Sequence, residues 1–127
     1  MDSNLLLWLG QVLLALGFLG ASYGHTLAFE TSSKSPGREW LATVGRDRMR
    51  VIGSLEVLGA VGLVLPMATG VLPWLTPAAA LCLGLLMVFA IVFHARRTGE
   101  TPNIVLNVIL GSIAFLIAFG RLVVSPV

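Results

Sequence analysis

Glu56 is the most demanding residue in this chain, because it is the only charge in the tract from Val51 to Met67. A charged side chain near the centre of a membrane-spanning helix costs ~2.5 to 3.5 kcal/mol on insertion scales, so neighbouring groups must offset it. The candidates are His25, His94, Asn107, Asn103 and Tyr23, each set in or beside an apolar tract. A carboxyl beside an imidazole can hold or pass a proton, as a general base and acid or as the anchor of a ligand. The plainer alternative is a hydrogen bond that only fastens helices together. Two histidines could also ligate haem, but a metal site ordinarily wants more donors, and no metal is expected. Cys82 stands alone, without a disulfide partner or a Cys-x-x-Cys pair, and reads as a small packing residue.

The elements that position these groups follow from composition. The 127 residues are 57% hydrophobic and only 11% charged, which excludes a soluble globule. The net charge of +2 is concentrated in short stretches between apolar tracts, so the basic residues mark loops and no nucleic-acid partner is expected. No charge occurs between Asp2 and Glu30, and a hydrocarbon core of ~30 Å needs about 20 helical residues. The first spanning helix is therefore expected over about 5–29. It lacks the basic start and cleavage site of a signal peptide and is expected to stay attached. A second helix over about 51–67 is expected to halt at Pro66. A third runs over about 77–95 after the Pro73 and Pro77 turn, and a fourth over about 102–120 with Pro102 at its start. The fold expected is all-α: one domain, 1–127, forming an integral membrane antiparallel four-helix bundle.

Four spans put Lys34, Arg38, Arg46, Arg48, Arg50, Arg96 and Arg97 on one side and Arg121 alone on the other. The positive-inside rule then places both termini outside the cytoplasm. Trp8 and Trp74 would anchor the outer interface, with Gln11 and Arg121 interfacial beside them. Residues 31–37 read as a surface loop, and 38–44 as a short interfacial helix with Trp40, Leu41 and Val44 toward lipid. Gly10, Gly17, Gly20 and Gly24 on the first helix and Gly59 and Gly62 on the second read as packing surfaces. At ~1.5 Å rise per residue, Glu56 and Asn107 lie roughly 9 Å, His25 roughly 7 Å and His94 roughly 3 Å from the same membrane face. Tyr23 points about 160° away from His25 on its helix. Convergence of Glu56, His25, His94 and Asn107 would make a polar pocket open to the cytoplasmic side.

Several strings together resemble one family. They are Ile52-Gly-Ser-Leu-Glu56-Val-Leu-Gly-Ala-Val-Gly-Leu-Val-Leu-Pro66, Pro73-Trp-Leu-Thr-Pro77-Ala-Ala, His94-Ala-Arg-Arg97 with Glu100 and Asn107, and Phe119-Gly-Arg121. Over about residues 48–121 the chain resembles the DoxX-like family of small four-helix bacterial membrane proteins. The resemblance implies a multi-pass protein of the bacterial inner membrane, associated by name with sulfur or quinone redox chemistry. Where the family usually carries a Lys near the end of the first helix, this chain reads Gly20-Ala-Ser-Tyr-Gly-His25-Thr, and His25 takes the cationic position.

The function expected from these readings is a redox-associated accessory subunit, or a binder of a quinone or other lipophilic ligand in an intramembrane polar pocket. Its ligand-binding residues would be Glu56, His25, Tyr23, His94, Asn107 and Asn103. The sequence has no nucleotide, flavin or iron–sulfur motif, so no cofactor is expected in the chain itself beyond a bound quinone or lipid. Electrons would be carried by a partner membrane subunit. The expected partners are membrane lipid and such subunits, or further copies of the chain. Two alternatives stand beside this: a membrane-embedded isomerase or hydrolase with Glu56 as base and His25 or His94 as acid, and a purely structural subunit.

Overall fold

A computed structural model describes residues 2–127. Helix α1 covers Ser3–His25, and two short helices, α2 (Phe29–Ser33) and α3 (Trp40–Val44), lie in the first connection. The long helices α4 (Arg46–Thr69), α5 (Leu75–Ala95) and α6 (Thr101–Phe119) follow, and a π-helical turn, Gly120–Val124, extends α6. Among the described residues the regular structure is all helical, with four helices long and apolar enough to cross a membrane. They run alternately up and down, with α4 packed between α1 and α5, and α6 beside α5 and α1. One end of the bundle carries both termini and the α4–α5 turn; the other carries the two longer connections. These are called the terminal end and the loop end below.

The buried face of each long helix is narrow. Phe18, Leu63, Leu83 and Ile117 meet in the core with alanines from all four helices, while Leu13, Leu16, Leu58, Phe89 and Leu116 point outward and stay exposed. An apolar exterior of this extent suits lipid as the surrounding solvent. Close approach of the helices relies on glycines other than the expected α1 stripe. A Cβ on Gly59 would come within 2.5 Å of Leu83, and one on Gly84 within 2.7 Å of Phe115. Gly62 faces Ala79 in the same way, whereas Gly17 and Gly20 on α1 have no neighbour to pack against.

Several boundaries differ from expectation, and local reasons account for them. The first helix begins earlier, because the Asp2 side chain accepts the Leu5 N–H at 2.8 Å as an N-cap. It ends at His25, four residues sooner, where the Thr26 hydroxyl donates to the Ser22 carbonyl at 2.6 Å and the chain turns into α2. The second long helix starts at Arg46, immediately after Gly45, whose φ of 95° lets α3 and α4 meet without an intervening loop.

That helix also continues through Pro66 to Thr69, where Gly70 adopts a left-handed φ of 74° and ends it. Proline has no N–H to give the carbonyl four residues back, here Gly62. The Thr76 hydroxyl of α5 donates to that carbonyl at 3.0 Å, and the Gln11 amide of α1 donates to the next one, Leu63, at 2.6 Å. Side chains of two other helices thus stand in for the bonds a proline disturbs.

Candidate functional site

Glu56 points into the bundle, not toward lipid, and is 2% exposed. His25, on the last residue of α1, meets it: His25 Nδ1 and Glu56 Oε1 share a hydrogen bond of 2.6 Å. Close contact of α1 with α4 makes this possible. The Ser22 hydroxyl donates to the Gly53 carbonyl at 2.9 Å, and a Cβ at Gly53 would collide with Thr26. Gly53 and Glu56, three residues apart on one face of α4, therefore receive Ser22 and His25, three residues apart on α1.

A second imidazole–carboxylate pair lies on the other side of the bundle. His94, buried at the end of α5, shares a 3.1 Å hydrogen bond with Glu100, which also accepts from Arg97 Nε. Arg97 reaches Thr43 Oγ1 at 3.1 Å and lies 5.6 Å from the Phe93 ring centroid, so the α5–α6 turn is fastened to α3.

Trp40 stands between the two pairs. Its ring meets His25 edge to face at a centroid distance of 5.5 Å and His94 at 4.8 Å. The expected placement of Trp40, Leu41 and Val44 toward lipid is therefore corrected. Leu41 is fully buried with Phe29 and Met49, and Trp40 and Val44 pack against that cluster, so α2 and α3 fold back over the bundle as a cap. The apolar residues of so short a segment cover more surface against the bundle end than they would at an interface. The expected surface loop 31–37 shrinks accordingly, since Ser32 is buried within α2. The Trp40 indole N–H is buried and has no hydrogen-bond acceptor. Beside it lies a cavity of about 380 Å³ whose lining includes Arg38, Trp40, Arg97, Glu100 and Asn103.

The remaining sequence candidates are spread around this centre. Asn103 lines the cavity and donates to the Gly37 carbonyl at 3.3 Å. Asn107 is half-buried one turn further along α6, and among the described residues it makes no side-chain hydrogen bond to either pair. Tyr23 faces outward and is 61% exposed. Of the four groups expected to converge, Glu56 and His25 meet, His94 pairs instead with Glu100 beyond the Trp40 indole, and Asn107 stands apart from both pairs.

Sequence reasoning placed Gln11 and Arg121 at the interface; the structure buries both, at 0% and 1% exposure. Arg121 Nε donates to Gln11 Oε1 at 2.6 Å, and its Nη1 donates to Asn4 Oδ1 at 2.7 Å. The signal available was Pro66: a proline inside a spanning helix frees a carbonyl, and a glutamine on a neighbouring span is a natural donor to it.

No curated protein and no solved structure matches the chain. The family described as DoxX-like matches residues 9–117, which takes in most of the first and last long helices, the whole of the two between them, and both histidine pairs. The chain belongs to the DoxX-like family and is a multi-pass helical membrane protein.

Proposed function

We propose that the protein binds a small lipophile with a hydrogen-bonding carbonyl head, of which a quinone is the type, at the loop end of the bundle. The supporting observation is Trp40, which lines the loop-end cavity, carries an indole N–H without an acceptor, and packs its ring against the His25 of the buried Glu56–His25 pair, a pair that lies outside the cavity lining. A carbonyl oxygen supplies the acceptor that the indole needs, and the carboxylate–imidazole pair exchanges a proton with the head group as its charge changes. The cavity lies between the two loop-end connections, and the apolar exterior of the bundle would hold the ligand's tail in lipid. In redox chemistry the chain would act as an accessory subunit, electrons being carried by a partner in the membrane. The seven Lys and Arg residues of the loop end support an orientation with that end in the cytoplasm of a bacterial inner membrane and both termini outside.

The test is binding of a short-chain benzoquinone to the purified chain in neutral detergent, read by titration calorimetry. Trp40→Phe and Glu56→Gln each remove one proposed contact, and each is expected to weaken binding about tenfold, the equivalent of one hydrogen bond in a dry site. Unchanged affinity in both variants would contradict the proposal. If Glu56→Leu loses folded protein while Glu56→Gln binds as the parent does, the pair only fastens α1 to α4.

A further inference from the structure

The terminal end holds a charge that nothing among the described residues neutralises. Arg121 is 1% exposed, and none of the ion pairs among the described residues involves it. Its hydrogen-bond partners are all neutral: Gln11 Oε1 at 2.6 Å, Asn4 Oδ1 at 2.7 Å and the Ser125 carbonyl at 3.5 Å. The Trp8 ring, 5.6 Å from the guanidinium carbon, offsets part of the charge. Nη2 is buried with no acceptor at all. A guanidinium stays protonated in proteins, so burial does not remove this charge. Asp2, the acidic side chain at this end of the bundle, is exposed and committed to capping α1.

The position along the bundle indicates what could supply the missing anion. Arg121 follows Thr101 by 20 residues, or about 30 Å of helix, which is the thickness of the hydrocarbon core. Asn4 and Ser125 share that level, where a bilayer presents its head groups. The widened π turn Gly120–Val124, closed by the Ser125 N–H on the Gly120 carbonyl at 2.7 Å, brings the C-terminal residues over the guanidinium. Gly120 lets the turn sit against Leu7 of α1. The Ser125 carbonyl makes the longest of the three bonds to Arg121, so displacing it costs the least and frees donors on Nη1 as well as Nη2.

We propose that Arg121, with Asn4 and Gln11 fixing its orientation, is a binding site for a phosphate oxyanion, supplied by a lipid head group at the terminal end. Two free donors on a planar fork match two phosphate oxygens, and the ligand's charge cancels the one left in the protein.

The test is thermal unfolding of the full chain in neutral detergent with added phosphatidylglycerol, with diacylglycerol of the same acyl chains, or with inorganic phosphate. Phosphatidylglycerol is expected to raise the unfolding midpoint by several degrees and diacylglycerol to leave it unchanged. Stabilisation by inorganic phosphate as well would mean that the site takes the anion from solution too. Equal effects of the two lipids, without an effect of phosphate, would overturn the proposal. The loop-end cations also attract anionic lipid, so the deciding variant is Asn4→Asp, which places a carboxylate beside Nη1 and should keep the fold. It is expected to raise the midpoint without lipid and to lose most of the phosphatidylglycerol shift. Retention of the full shift in Asn4→Asp would place the lipid elsewhere and overturn the assignment.

Discussion

The two ends of the bundle solve the burial of charge in opposite ways. At the loop end every buried ionisable side chain has a partner that can neutralise it: Glu56 has His25, and His94 has Glu100, itself bound by Arg97. What is left over there is a neutral donor, the Trp40 indole N–H. At the terminal end the ionisable group is Arg121, its partners are amides and a carbonyl, and what is left over is a charged donor. A neutral donor calls for a neutral acceptor, and a charged one for an anion. One small bundle thus presents two chemically distinct unpartnered donors, at opposite ends, on a common core.

The coarsest way to break this comparison concerns which end faces which compartment, and its outcome is all or none. A cysteine introduced at Ser3 or Pro126 should be labelled from outside intact cells, and one at Ser33 should not; the reverse pattern would exchange the two ends. Gln11→Leu acts on the terminal end alone. It strips a buried guanidinium of one acceptor and the Leu63 carbonyl of its donor, and should cost about 3 kcal/mol in denaturant unfolding from mixed micelles. A loss below about 0.5 kcal/mol would mean that Arg121 finds another partner readily. Gly59→Leu strains the core shared by both ends and should cost about 2 kcal/mol, because Leu83 occupies the space a side chain needs. The smallest effect is expected for Thr76→Val, about 1 kcal/mol through the unsatisfied Gly62 carbonyl. The same change in a Pro66→Ala background should cost much less, since residue 66 then donates to Gly62 itself. Equal losses in the two backgrounds would show that the threonine does not compensate for the proline.

Much of the loop end was legible in the sequence, and little of the terminal end. Counting helical rise put Glu56 and His25 at matching depth, because a spanning helix has a fixed rise and the charged residues mark its ends. Rise gives level but not azimuth, so Asn107, also at that depth, could not be separated from the residues that meet Glu56. Glu100 carries no comparable signal, since a carboxylate close to two arginines reads as part of a solvated loop. Trp40 was assigned to lipid because an isolated amphipathic segment looks the same whether it lies on a bilayer or folds over a bundle. Gln11 and Arg121 were assigned to the interface because residues near helix ends usually snorkel. Their burial depends on the uninterrupted course of α4 through Pro66, where a break was expected. The four-helix course itself was legible because apolar length is the strongest signal a membrane chain carries.

The most direct test of the loop-end site is an infrared difference spectrum of the detergent-purified chain with and without a short-chain benzoquinone, in the carboxyl stretching region. If Glu56 and His25 exchange a proton with the ligand, binding changes a carboxyl band in the parent chain, and that band is absent from the difference spectrum of Glu56→Gln. A spectrum without carboxyl change in the parent, or an identical change in Glu56→Gln, would contradict the assignment of the buried pair as the working centre of the protein.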